Sequence, residues 1–180
     1  MAEIDELSSS GWYSKAQKVA SPNFDGRPAG LAVDLIVVHA ISLPPGNFGG
    51  EGVRQLFTNT LDPDTHPYYR EIQDLRVSAH FFIRRDGHLM QFVSCNDRAW
   101  HAGVSSWGGR ERCNDFSIGI ELEGDDESPF DDEQYRVLNE VRTVLSRAYP
   151  NASVVGHSDI APDRKTDPGP CFDWQRVVRM

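Results

Sequence analysis

The apolar positions fall into short runs of strand length, broken by Pro- and Gly-rich stretches, with one segment of helical period toward the end of the chain. Residues 31–40 form an apolar run that predicts a buried strand. Two-residue alternation places Leu35, Val37 and His39 on one face and Ile36, Val38 and Ala40 on the other. His39 closes that strand at its C-terminal end, where open α/β sheets place ligands. Residues 79–84 and 88–93 flank Asp86-Gly87, a sharp turn signal, and predict a hairpin. A further strand is predicted over 116–122, with Ile118, Ile120 and Leu122 facing away from Gly119, Glu121 and Glu123.

The helical period begins at a clear start. Asp131 is placed to cap, Gln134 stands three residues later as in a capping box, and Phe130 with Tyr135 makes a hydrophobic staple. Tyr135, Leu138, Val141, Leu145 and Ala148 then mark one face down to Pro150. A short helix fits 53–59, while 43–50 and 62–69, rich in Pro, read as loops. Residues 153–156 form a last short strand that delivers His157. The order strand, helix, hairpin, strand, helix, strand predicts an α/β fold, a single-domain mixed sheet flanked by helices. Residues 1–30, rich in Ser, Pro, Asn and Gly, read as an irregular arm packed on a domain spanning 31–180.

Composition narrows the class. A chain of 180 residues buries a full core without covalent staples. The net charge of −9 argues against a nucleic-acid partner, which needs clustered Lys and Arg for counterion release. Cys95, Cys113 and Cys171 are odd in number and follow no zinc-ribbon spacing, so a disulfide scaffold is not expected and a reducing compartment is. Residues 1–10 carry Glu3, Asp5 and Glu6 and no apolar run, unlike a secretory signal. No stretch of ~18 apolar residues predicts a membrane span. The expectation is a cytoplasmic protein, acting as a monomer without membrane or nucleic-acid partners.

The candidate chemistry lies at the strand ends. His39, His157 and Asp167 offer two imidazoles and one carboxylate, the ligand set of a catalytic zinc with one position left for water. Neutral ligands leave the cation enough charge to acidify that water, and one carboxylate adds affinity without quenching it. A lone histidine closing an apolar strand is more often a packed core residue, and spacing alone leaves both readings open. The chain has no HExxH, and His66, His80, His88 and His101 remain alternative ligands. Glu121, on the polar side of an apolar strand, is the candidate base, against a solvated carboxylate as the plainer alternative. Glu123, nearer the acidic loop at 124–127, is expected to face solvent. Lys165 stands two residues before Asp167, so in an extended segment both point one way and the ammonium can face a developing oxyanion.

At these residues the chain resembles a known family. The motifs are Val37-Val38-His39 with Ile41-Ser42-Leu43-Pro44-Pro45-Gly46, Leu75 to His80, Arg98-Ala99-Trp100-His101-Ala102-Gly103, Gly109 to Gly124, Ile160-Ala161-Pro162, Arg164 to Pro170, and Phe172-Asp173-Trp174. They resemble the zinc N-acetylmuramoyl-L-alanine amidases of the amidase_2 and peptidoglycan-recognition type, in particular the branch that acts on 1,6-anhydro-muropeptides in cell-wall recycling. The resemblance implies one zinc on His39, His157 and Asp167, Glu121 as base and Lys165 as transition-state stabiliser. It implies hydrolysis of the amide between the lactyl group of N-acetylmuramic acid and L-alanine of the stem peptide. Arg76 and Arg112 would then hold stem-peptide carboxylates, and Trp100, Trp107 and His101 would line the substrate cleft.

Two positions depart from the branch: Ala40 stands where Asn is usual, which removes one hydrogen bond to substrate, and Cys171 where a small apolar residue is usual. The main alternative is a non-catalytic module that binds peptidoglycan fragments, against which the full ligand set counts. A weaker one is an amidase for intact wall, periplasmic or from a phage.

Overall fold

The structure is a computed structural model that describes residues 6–177, so Glu3 and Asp5 lie outside the described residues. In chain order the elements are strands β1 (Gln17–Lys18), β2 (Phe24–Gly26) and β3 (Leu35–Ile41). Helices α1 (Gly52–Phe57) and α2 (Pro67–Ile72) follow, then strands β4 (Phe81–Ile83) and β5 (Leu89–Gln91). Short strands β6 (Asp97–Ala99), β7 (Ser106–Trp107) and β8 (Arg110–Glu111) precede a 3-10 turn at Cys113–Phe116. The chain then forms β9 (Ser117–Glu123), α3 (Asp132–Ala148), β10 (Ser153–Gly156) and α4 (His157–Ile160).

Six strands form one mixed sheet in the order β1-β5-β4-β9-β3-β10. β3 runs parallel to both β9 and β10, and β4 runs parallel to β9, whereas β4 and β5 make the antiparallel hairpin. The mixed sheet flanked by helices is the fold that the patterning predicts. Within the segment read as an irregular arm, β1 adds a short edge strand to the sheet and β2 pairs with β6. Backbone pairing, rather than apolar pattern, orders these pieces. The strand read over 31–40 is assigned over Leu35–Ile41, with Asp34 continuing its hydrogen bonding to Phe116 O and Ser153 N–H.

Both faces of the sheet are covered. Ile36, Val38, Phe81, Ile118, Ile120 and Leu122 pack with Leu138, Val141 and Leu145 of α3. On the opposite face Phe82 and Phe92 pack with Leu56 and Phe57 of α1, and Leu35 and Val37 pack with Phe116 and Ile160. Each such fully buried side chain contributes about 1.5–3 kcal/mol of transfer free energy.

Gln134 Oε1 accepts the Asp131 N–H at 3.1 Å, and the Phe130 and Tyr135 rings meet at 6.4 Å, as the capping box and staple require. Gln134 also donates to Glu123 O at 3.0 Å, tying the helix start to the end of β9. Ala148, read as part of the apolar face, is exposed where the helix runs out.

Two loop readings are corrected. α2 occupies part of 62–69: Pro67 takes the first helical turn, where its missing N–H costs nothing, and the His66 ring caps Tyr68 N–H at 3.1 Å. Glu123 does not face solvent. It is 3% exposed and accepts from Gly49 N–H at 2.6 Å and Arg85 N–H at 3.1 Å, so the carboxylate clasps the 43–50 loop to the sheet.

Candidate metal centre

Parallel register builds the site. His39 pairs with Glu121 across β3 and β9, so both point to the same side at the C-terminal end of the sheet. Gly156 pairs with Val38 across β10 and β3, which brings His157, the next residue, level with His39. Asp167 arrives from the following segment, whose carbonyl oxygen accepts from Ser158 N–H at 2.9 Å.

The three polar groups converge on a small triangle. His39 Nδ1 lies 2.9 Å from His157 Nδ1, and Asp167 Oδ2 lies 3.2 Å from the first and 3.1 Å from the second. Both imidazoles are buried, and together with Asp167 they form a group able to hold a metal ion. The donor chemistry fits a cation. The far nitrogen of His157 faces Ala102 O at 3.1 Å and must carry the proton there, which leaves a lone pair on Nδ1. A lone pair, a second imidazole nitrogen and a carboxylate oxygen then point at one another, and a positive charge between them relieves the repulsion. Tetrahedral zinc at about 2.0–2.1 Å from each donor would space those donors about 3.3 Å apart, close to the triangle seen. Burial lowers the His39 pKa to about 4, with Asp167 opposing the shift, so the ring is a neutral ligand at ordinary pH.

Glu121 stands beside this triangle, its Oε1 3.9 Å from His39 Nδ1. Its Oε2 is buried and has no hydrogen-bond partner among the described residues. Burial pushes the carboxyl well above its ordinary pKa; the nearby Asp167 charge adds to this and Lys165 opposes it. A cavity of about 350 Å³ opens over the group, and Glu121, His157, Lys165 and Asp167 all line it with Trp100 and His101. Its apolar wall includes Leu56 and Phe57, from the short helix expected over 53–59, and Ile72, which sequence patterning did not single out.

The remaining predicted residues lie further out. Arg76 is exposed and donates to Gln73 O and Leu75 O, at the edge of the cleft that Leu75 and Val77 line. Arg112 has positive φ and lines a neighbouring cavity of about 500 Å³ bounded by Gly103 and Arg164. Trp107 packs against the Leu35 and Val37 cluster, away from the cleft. His80 is buried and accepts from Gly119 N–H at 3.0 Å, and so is not a ligand.

A mixed sheet with such a group at its strand ends suits a metal-dependent hydrolase, and the chain belongs to the Amidase_2 family of N-acetylmuramoyl-L-alanine amidases, whose model matches residues 29–170. Over 172 residues it is 56% identical to the 1,6-anhydro-N-acetylmuramyl-L-alanine amidase AmpD of Salmonella typhimurium strain SL1344, covering 94% of this chain and 92% of that protein. The crystal structure of a Se-Met AmpD derivative matches with a TM-score of 0.92 at 55% identity, covering 95% of this chain and 97% of that one. A more distant relative is the N-acetylmuramyl-L-alanine amidase AmiD of Escherichia coli, solved with anhydro-N-acetylmuramic acid-L-Ala-D-gamma-Glu-L-Lys as substrate. It is 28% identical with a TM-score of 0.58, over 84% of this chain and 59% of that one. The family read from the motifs is thus the family shown.

Proposed function

We propose that this chain hydrolyses the amide between the lactyl group of 1,6-anhydro-N-acetylmuramic acid and L-alanine of the stem peptide, as a step in peptidoglycan recycling. The observation that carries the reading is the His39, His157 and Asp167 triangle with Glu121 alongside, at the floor of one cleft. High identity to AmpD proteins over nearly their whole length supports the anhydro-sugar substrate. One zinc ion, held by His39, His157 and Asp167, would supply Lewis acidity that polarises the carbonyl and acidifies water.

The chain's own groups do the rest. Glu121, raised in basicity by burial, takes the proton of the attacking water on its unpartnered Oε2. The same carboxyl then returns a proton to the alanine nitrogen as the C–N bond breaks. Lys165 faces the cleft, where its ammonium stabilises the negative charge on the lactyl carbonyl oxygen. Trp100 and His101 wall the cleft, and Arg76 at its edge and Arg112 in the second cavity hold stem-peptide carboxylates.

The enzyme works as a monomer in the cytoplasm. Three free cysteines, two of them buried, suit a reducing compartment. No helix among the described residues is long and apolar enough to cross a membrane.

The test is incubation of purified protein with anhydro-muropeptide, before and after chelation and zinc replacement. Release of free stem peptide, lost on chelation and restored by zinc, is the expected result. Tight binding without cleavage at any zinc level would instead make this a fragment-binding module.

A further inference from the structure

We infer that His101 is a positioning residue: it accepts the Nε2 proton of His39 and so fixes the tautomer in which His39 presents Nδ1 to a bound cation. The inference rests on the metal reading proposed above. Its starting observation is that His39 uses both ring nitrogens inside the protein. Nδ1 belongs to the triangle with His157 and Asp167, whereas Nε2 lies 2.9 Å from His101 Nδ1. A neutral imidazole that offers a lone pair at Nδ1 carries its proton at Nε2. That proton needs an acceptor, and His101 Nδ1 is the one in place. The His101 proton then sits on its own Nε2, which faces Ser117 Oγ at 3.2 Å.

The surrounding backbone holds this ring in place. Asn114 Oδ1 accepts the N–H groups of both His101 and Ala102, at 3.1 and 2.8 Å. One side chain therefore anchors two consecutive residues that serve the two ligand histidines: the His101 ring for His39 and the Ala102 carbonyl for His157. Space for the ring comes from Gly119 on β9, where a Cβ would lie 2.5 Å from His101 Cγ. Metal-binding histidines ordinarily donate their second N–H to a carboxylate or carbonyl. An imidazole in that role orients the ligand without adding negative charge, so the site keeps a single carboxylate and the bound cation retains its full pull on a carbonyl.

The experiment compares wild type, His101→Phe and His101→Asn. Zinc affinity is measured by competition with a chelator, and the nitrogen NMR spectrum of His39 is recorded in zinc-loaded wild type. Expected are a protonated Nε2 on His39 and a 10–100-fold loss of zinc affinity in His101→Phe. Asn, whose amide oxygen can stand where Nδ1 stood, should recover most of that loss; a merely space-filling role would not distinguish it from Phe in this direction. Unchanged affinity in His101→Phe, or a His39 that binds zinc through Nε2, overturns the inference. Should His101→Phe fail to fold, the wild-type nitrogen spectrum alone decides. Failure of the underlying metal reading looks different: wild type itself would take up no zinc, or His39→Ala would bind it equally well.

Discussion

At the scale of single residues, the proposed reaction separates groups that hold from groups that react. His39, His157 and Asp167 point their polar atoms at one spot, while Glu121 and Lys165 face the cleft beside it. Glu121→Ala should therefore lower turnover by about 10²–10⁴-fold, and Lys165→Ala by about 10²–10³-fold, with zinc content unchanged in both. Anhydro-muropeptide cleavage measured alongside metal content checks this, and full activity in either variant would remove that residue from the reaction. Ala40 also lines the cleft, at the position where the resemblance leads one to expect Asn. Restoring an amide by Ala40→Asn should lower KM several-fold, the worth of about one hydrogen bond, with little change in kcat. His39 and His157 stood out in the sequence as candidates because each closed an apolar run, and the fold brings them together with Asp167. The burial of Glu121 and the partner of each ring nitrogen were not, since both depend on residues distant along the chain.

Elements were legible where period and caps agreed. α3 announced itself through Asp131, Gln134 and a 3.6-residue stripe, and Asp131→Ala should cost about 1 kcal/mol of stability in denaturant unfolding while leaving activity intact. α2 was obscured because two prolines suggested a loop, although Pro67 in a first turn is a helix-start signal. Glu123 was misplaced for a related reason. Alternation gave its face correctly, but only the packed loop shows that backbone N–H groups of Gly49 and Arg85 meet it. Glu123→Ala should destabilise the fold by about 1–3 kcal/mol, since the two hydrogen bonds from Gly49 and Arg85 N–H to its buried carboxylate are lost. It should also raise KM by loosening the 43–50 loop, whose Leu43 lines the cleft; an unchanged KM would show that the clasp does not shape the site.

For the molecule as a whole, binding and folding are linked. Zinc that binds only the folded chain stabilises it, by about 2.7 kcal/mol at a free concentration a hundred times its Kd. Chelation should accordingly lower Tm, and His39→Ala should abolish that response. Acid acts through a different group. Burial first, and the Arg27 charge second, lower the His80 pKa from 6.5 to about 3. The unfolded chain thus binds one more proton than the folded chain between those values, so stability contributed by neutral His80 is complete above pH 6.5 and is lost as pH falls toward 3. Unfolding of wild type and His80→Gln at pH 7.5 and 5 should show the smaller loss in the variant; equal losses would assign the acid sensitivity elsewhere. The sequence by itself determined the sheet's principal strands, the long capped helix and the family, because each is written in local period, caps or contiguous motifs. Tertiary structure alone decided which imidazole nitrogens meet Asp167, that Glu121 is buried beside them while Glu123 is buried as a clasp, and where the arginines stand. Those depend on parallel register and on contacts between segments tens of residues apart, which no local pattern encodes.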